Sequence, residues 1–450
     1  MKLDHRRTIL VGLAFLSICS FWQMYDSVIP KILTETFRLN ETISGAIMAL
    51  DNILALFLLP LFGALSDRTS TKIGRRMPFI LLGTACAAVL MNLLPVLDNR
   101  YAAAPSTGKL VGFAAVLGLL LVAMGTYRSP AVALMPDVTL KPLRSKANAV
   151  INLMGSAGGI IVLALGMVFA TASVSNSMMS YTGYFGVIAA LMLAALVVFM
   201  LTVREPEWAR EMQAQSVAAG IEDAEETAHP NEGRKLSADE VKSLLLILLS
   251  IVLWFFGYNA VTSKYSVYAS NILHKDYNLT LIIAQAAAIA AYLPVGFIAG
   301  KIGRKKTILA GVVMLTVAFG VAGFLTADSP SALMNAMFAL AGIAWATINV
   351  NSFPMVVELA SGGDVGKYTG FYYTASMAAQ VATPMVSGLL MDKFGMHVLF
   401  PYAAVFTALA FVTMLFVKHG DSREMPKQTA AAGTEDAGAI DNTVEELTND

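Results

Sequence analysis

Charge is scarce in this chain. Asp, Glu, Lys and Arg together make up 14% of its 450 residues, where an average soluble domain carries about a quarter. Its two cysteines, Cys19 and Cys86, lie in separate apolar runs, so neither a disulfide scaffold nor a thiolate metal cluster can be built. The five histidines (His5, His229, His274, His397 and His419) all fall in or beside polar segments, which leaves no histidine proton relay at membrane depth. No Walker motif or other nucleotide-cradling loop is present, so nothing here is arranged to use ATP. The 31 basic residues balance 31 acidic ones, and no basic, aromatic-interleaved patch marks a nucleic-acid partner. No cofactor and no metal is expected.

What the chain has instead is apolar length. It is 56% hydrophobic with a mean hydropathy of +0.65, and runs of about twenty apolar residues recur, each able to cross a ~30 Å hydrocarbon core as a helix. The expected spans are 8–32, 43–65, 79–97, 110–134, 149–172 and 184–203, then 243–265, 279–300, 307–324, 332–355, 369–391 and 398–417. Lys2, Arg6 and Arg7 ahead of the first run resemble a signal peptide. That run continues to Ile29 with no small-residue cleavage site, so it is read as a permanent helix. The fold class expected is an all-α membrane protein of twelve helices in two six-helix halves: 1–203 and 243–418, with a linker at 204–242 and an acidic, disordered tail at 419–450.

Lysine and arginine set the orientation. With the N-terminus cytoplasmic, that side collects Lys2, Arg6, Arg7, Arg68, Lys72, Arg75, Arg76, Lys141, Arg144, Lys146, Lys301, Arg304, Lys305, Lys306 and Lys367. The other side has Lys31, Arg38, Arg100, Lys109, Lys275 and Lys393, with Lys264 near a helix end. Both termini are therefore expected inside. The linker reads as mostly solvated, its start at 205–213 forming at most a short interfacial helix around Trp208. Gly63, Ser66-Asp67-Arg68 and Gly74-Arg75-Arg76 after the second span are matched by Gly300 to Lys306 after the eighth. Pro136-Asp137 and Arg144 after the fourth are matched by Pro354, Glu358 and Lys367 after the tenth. Such repetition is expected of a duplicated carrier.

The run Gly74-Arg75-Arg76-Met77-Pro78-Phe79-Ile80, preceded by Gly63 and Ser66-Asp67-Arg68, resembles the loop between helices two and three of the major facilitator superfamily. It looks most like the sucrose–proton symporter branch, including its bacterial relatives. Ser129-Pro130 followed by Ala133-Leu134-Met135-Pro136-Asp137-Val138-Thr139 also resembles the glycoside–pentoside–hexuronide cation symporters. The resemblance implies the major facilitator fold and sugar movement coupled to a cation. The sequence departs from the sucrose branch at Val132, where those carriers have arginine; Arg128 lies one turn earlier.

An ionisable residue inside a spanning helix is costly and usually faces a partner or a watery cavity. Five qualify or come close: Asp26, Asp51, Arg128, Lys264 and Glu358. Asp26 and Asp51 lie at similar depth on sequential spans. Two carboxylates in one poorly hydrated pocket share a proton, as a coupling site must. The plainer alternative is that Asp26 caps the helix near Pro30 or pairs with Lys31. Arg128 is a candidate to hold a carboxylate or read hydroxyls through its planar fork; the alternative is an ion pair that fixes packing.

Sugar sites pair flat apolar faces with amides, and several spans offer that pairing at helical spacing. Trp22 and Gln23 stand beside Asp26; Trp254, Tyr258, Thr262 and Tyr265 form a stripe with Asn259 adjacent; Trp345 precedes Asn349 by one turn; Tyr372, Tyr373 and Gln380 share the eleventh span. Packing or an interfacial belt is the competing reading for each aromatic, and Tyr265, Tyr268 and Tyr277 are assigned to the outer belt. In the family's fold, helices one, four, seven and ten surround the cavity. Asp67, Arg68, Gly74, Arg75, Arg76, Asp137, Arg144 and Glu358 are the expected cytoplasmic gate, whose charges also determine topology. Pro130, Pro294 and Pro384 mark bends.

The function expected is a secondary active transporter, a proton-coupled symporter of a disaccharide or glycoside working by alternating access, and not an enzyme. The alternatives are the same fold moving a pentoside, organic acid or drug, the same fold exporting, or a membrane sugar receptor. Its partners would be the small solute, the proton and the lipid of a cell membrane, with a monomer as the default state.

Overall fold

In a computed structural model the described residues are 3–140, 143–172, 180–218, 236–359 and 365–420. The expected tail from 421 and the linker at 219–235 lie outside them. Every element among the described residues is a helix. Helix α1 (His5–Lys31) starts at Asp4, whose carboxylate accepts the Arg7 N–H, and passes into a π-helical turn, Ile32–Thr36. The second span is two helices, α2 (Glu41–Met48) and α3 (Leu50–Arg68), joined at Ala49. Then come α4 (Met77–Ala103), α5 (Thr107–Asp137), α6 (Arg144–Val168) and α7 (Thr182–Thr202). A linker helix, α8 (Glu205–Ala218), follows. Helix α9 (Ala238–Tyr268) opens with a Ser237/Glu240 capping box and also ends in a π-helical turn, Ala269–Leu273. The second half continues with α10 (Tyr277–Ile302), α11 (Arg304–Ala322), α12 (Ser331–Val357), α13 (Val365–Phe394) and α14 (Leu399–Leu415).

Among the described residues, ten segments are long and apolar enough to cross a membrane, the second being α2 and α3 together. Helix α10 makes an eleventh; it bends by 49° between Tyr292 and Pro294, because proline removes a ladder hydrogen bond and crowds the preceding turn. Helix α5, by contrast, runs through Pro130 as one element. Helix α13 is 30 residues long, enough to span. Its Tyr372, Tyr373, Ser376, Gln380, Thr383 and Ser387 give it the polarity of a helix that faces protein, and it packs on α9 and α2. The twelve-span count stands on this reading.

Among the described residues each half has a large hydrophobic core: Phe21, Tyr25, Met91, Leu117 and Phe185 centre the first, and Ile251, Trp254, Leu315 and Phe400 the second, with a small third cluster at Ala291, Val295 and Ala346. The halves meet where α1 packs on α9, α6 on α10 and α2 on α13. The α2–α13 joint is backbone against backbone. A Cβ at Gly45 would overlap the Pro384 carbonyl, and one at Gly388 would overlap the Glu41 carbonyl, the close approach that small residues permit between membrane helices.

Polar ties join the halves at the end opposite the 66–76 loop. The Lys264 ammonium donates to the Glu41 carboxylate (2.7 Å) and carbonyl (2.9 Å). Asp392, from α13, accepts the Glu41 and Thr42 N–H groups at 2.9 Å each, and also the Thr42 hydroxyl. Lys31 donates to Ser270 Oγ (3.0 Å) and to the Thr171 carbonyl (2.8 Å). Tyr277 and Asn278 both donate to Thr171 Oγ1. Several expectations are corrected here. Lys31, counted as a loop charge, and Lys264, placed near a helix end, are both 0% exposed because each reaches across to the opposite half, Lys31 to Ser270 and Lys264 to Glu41. Tyr265, Tyr268 and Tyr277, assigned to the belt, are core residues: Tyr265 and Tyr268 pack on Phe338 and Phe400 of their own half, and Tyr277 reaches Thr171 of the other. Trp208 is buried in the first core instead of lying at a lipid interface, with Arg7 5.0 Å over its ring.

Candidate functional site

Helix α1, which packs on α9 of the other half, keeps one accessible face that marks the candidate cavity. Tyr25, Ser27 and Val28 are buried, whereas Asp26 is exposed. Phe15, Cys19, Trp22 and Gln23 are partly exposed on the same helical face. With the opposite end tied shut, that face opens toward the end of the 66–76 loop. Lys31 points away to Ser270 and Thr171, so the Asp26–Lys31 pairing does not occur. Asp51, partly exposed, accepts the Asn52 amide at 2.8 Å. Arg128 lies 5.3 Å over the Trp22 ring and within electrostatic reach of both Asp26 and Asp51. Two carboxylates and one guanidinium therefore stand within electrostatic reach of one another beside this face, with the buried Tyr25 hydroxyl, unpartnered among the described residues, in reach of both carboxylates.

The second half contributes an aromatic wall. Tyr258 and Trp345 stack at 3.7 Å between centroids with planes 2° apart, and Phe255 meets Trp345 edge-on at 5.2 Å. Asn259 has a buried, unpartnered Nδ2, and Asn349 is engaged by the Tyr292 hydroxyl. The expected α9 stripe divides. Trp254 and Tyr265 are core, Thr262 is exposed, and of this stripe Tyr258 is the residue that stacks on Trp345. Tyr372 is also drawn into packing: it is buried, bonded to Ser352 at 3.1 Å and edge-on to Phe353. Gln380 stays partly exposed and donates to the Ser376 carbonyl. Gln23 turns out to bridge the halves, donating to Ser27 (3.0 Å) and accepting from Gln285 on α10 (2.6 Å).

A family model described as Major Facilitator Superfamily matches residues 11–291 and 270–441. The chain belongs to the major facilitator superfamily. It is thus an integral membrane carrier and not an enzyme. YagG of Escherichia coli (strain K12), named as a glycoside/cation symporter, is 28% identical over 181 residues, 40% of this chain and 38% of that one. Sucrose transport protein SUC3 of Arabidopsis thaliana is 28% identical over 157 residues, 32% of this chain and 26% of its own. The chain thus spans about a quarter to two fifths of the length of these relatives. Among solved structures, the inward open xylose transporter XylE from E. coli superposes with a TM-score of 0.66 at 16% identity, over 93% of this chain and 96% of that one. A D-xylose-proton symporter gives 0.67 at 15%, over 92% and 98%. These two share the fold.

The major facilitator loop motif is intact. Arg76, buried, sends Nη2 to Asp67 (2.5 Å) and Nε to Asp137 (2.9 Å), and Nη1 to the Ser66 hydroxyl. Arg75 reaches Asp137 at 2.7 Å, Glu358 pairs with Arg304 at 2.8 Å, and Arg68 is exposed. The side chains of Arg144 and Lys367 lie outside what is described. These bonds knit the first half to itself, and Arg304–Glu358 does the same in the second. Gly74 has φ +124°, and a Cβ there would overlap Glu205. Glu205 was not foreseen as part of this motif. Its carboxylate accepts the N–H groups of Arg75, Arg76 and Met77 at 2.9–3.1 Å, which caps α4 from the linker helix.

Two cavity residues were also missed. Gln285 and Tyr292 sit on apolar α10, where the cost of a lone amide was a signal as strong as that used for Asn349.

Proposed function

We propose that this carrier is a secondary active transporter that moves a disaccharide or glycoside together with a proton, by rocking of residues 1–203 against 243–418 about the cavity. The exposed Asp26, in mid-span beside Asp51 and Arg128, carries this reading. A carboxylate pair loads the proton, and Arg128 alternates between holding a carboxylate and donating to substrate hydroxyls. Trp22 and the Tyr258–Trp345 stack supply flat faces for a sugar ring, and Gln23, Asn259, Asn349 and Gln380 supply amides. Tyr372 supports Ser352 at the edge of the site. Asp67, Arg68, Gly74, Arg75, Arg76, Asp137, Arg144 and Glu358 with their partners form the gate at the cytoplasmic end. Both termini are cytoplasmic, the carrier works as a monomer in a cell membrane, and the tail from 419 is solvated. The glycoside/cation and sucrose names of the partly matching relatives support the substrate class.

The test is uptake of radiolabelled sucrose, melibiose and D-xylose into proteoliposomes with and without an inward pH gradient. Accumulation above equilibrium only with the gradient is expected for at least one sugar, lost in Asp26→Asn while exchange persists. Gradient-driven accumulation unchanged in both Asp26→Asn and Asp51→Asn would remove these carboxylates from coupling.

A further inference from the structure

The closed end holds titratable groups that the cavity does not use. Glu35, in the π-helical turn after α1, has a side chain 8% exposed, and neither carboxylate oxygen accepts a hydrogen bond of normal geometry. Asn271 of the second half stands beside it. Asp98 on α4 is 2% exposed, has Thr36 beside it, and leaves Oδ1 without a partner. The buried Tyr181 hydroxyl, also unpartnered, lies within electrostatic reach of both carboxylates. Among the described residues, one buried cation stands beside Glu35. Lys31 Nζ is 3.9 Å from Glu35 Oε1, too far for a hydrogen bond, and it donates to the neutral Thr171 carbonyl and Ser270 hydroxyl.

Other charges facing this cluster are already answered. Glu41 is paired with Lys264. Asp276 is exposed and caps α10 through the Asn278 N–H at 2.7 Å. Tyr184 donates to the Val162 carbonyl and Tyr277 to Thr171. Among the described residues, Glu35 and Asp98 are both buried within electrostatic reach of Tyr181 and the one buried ammonium, Lys31, stands beside Glu35, which leaves one carboxylate's charge uncompensated; a buried charge without a partner is neutralised or drives its surroundings open.

We propose that Glu35 and Asp98 carry one proton between them while this end is closed, a second proton site separate from Asp26 and Asp51, and that the proton leaves when this end opens. Separation of the halves removes Ser270 and Asn271, which belong to the second half. Water enters, the carboxylic O–H breaks, and the proton passes to that water. Lys31, released from Ser270, pairs with Glu35. The closed state binds one proton more than the open state, so closure is favoured as pH falls and opening as pH rises. The cluster faces one side only, so this proton returns to the side it came from. It sets the gate's response to pH on that side without crossing the membrane.

The experiment uses full-length protein in nanodiscs with Cys19→Ser and Cys86→Ser, spin-labelled at the exposed positions Ser106→Cys and Asp328→Cys on either side of this end. Asp26→Asn and Asp51→Asn remove the cavity carboxylates. Interspin distances between about pH 5 and pH 8 should show the closed fraction rising in acid, its equilibrium constant changing by up to about tenfold per pH unit. Glu35→Gln or Asp98→Asn leaves one acid beside one lysine, and either should flatten the response. Lys31→Met leaves two acids and no cation and should steepen it toward about a hundredfold. A closed fraction indifferent to pH in the Asp26→Asn/Asp51→Asn protein, or a slope that survives both Glu35→Gln and Asp98→Asn, overturns the proposal.

Discussion

Arg128 is held by three neighbours at once: the Trp22 face at 5.3 Å and, at longer range, Asp26 and Asp51. A guanidinium over an indole gains about 1–2 kcal/mol when poorly hydrated, and its planar fork suits vicinal hydroxyls in a way an ammonium cannot match. Arg128→Lys should therefore keep exchange but raise the half-saturating sugar concentration by about tenfold, while Arg128→Ala should abolish transport. Equal transport by wild type, Lys and Ala forms would take the residue out of the site. The Tyr258–Trp345 stack makes a related case. Aromatic pairs contribute about 0.5–1.5 kcal/mol beyond their area, so Trp345→Ala should weaken sugar binding roughly three- to tenfold with little change in fold stability. Isothermal titration with the transported sugar measures it.

At the scale of elements, Glu205 shows what a linker helix does for the half that precedes it. Removing its carboxylate orphans the N–H groups of Arg75, Arg76 and Met77, and a buried unmade hydrogen bond costs about 1–3 kcal/mol. Glu205→Ala should lower the melting temperature of the detergent-solubilised carrier, with Glu205→Gln intermediate because its single amide oxygen restores part of the cap. No shift in either variant would mean that water replaces the carboxylate there.

Much of the architecture was legible because hydropathy and loop charge act locally. The twelve runs, the repeated loop chemistry and the Asp67–Arg76 pairing follow from residues close in the chain. The break at Ala49 was not legible, since 41–68 has no proline or glycine where it turns and reads as one apolar run. Nor were the π-helical turns closing α1 and α9. The burial of Lys31 and Lys264, the core position of Trp208 and the capture of Tyr372 by Ser352 depend on which helices face each other across the molecule. Asp26, Arg128, Trp22, Tyr258 and Trp345 announced themselves as costly or flat groups in apolar helices, whereas the Gln23–Gln285 bridge needed both halves in place.

Across the whole molecule, cohesion between halves is concentrated at one end, through Lys264–Glu41–Asp392, Lys31–Ser270 and the α2–α13 joint. The cavity can open at the loop end only while these hold. The same joint offers a steric handle. Because Gly45 and Gly388 sit against backbone carbonyls, a methyl group at either is a wedge; at Gly45 it presses on the Pro384 backbone, and at Gly388 on the Glu41 carbonyl that Lys264 holds. Gly45→Ala or Gly388→Ala should widen the Ser106–Asp328 distance in the spin-labelled carrier and slow uptake. An unchanged distance would show that the backbones slide apart by tenths of an ångström instead. A pair of methyl wedges of this kind would hold the carrier in its opposite state long enough for that state to be crystallised or imaged.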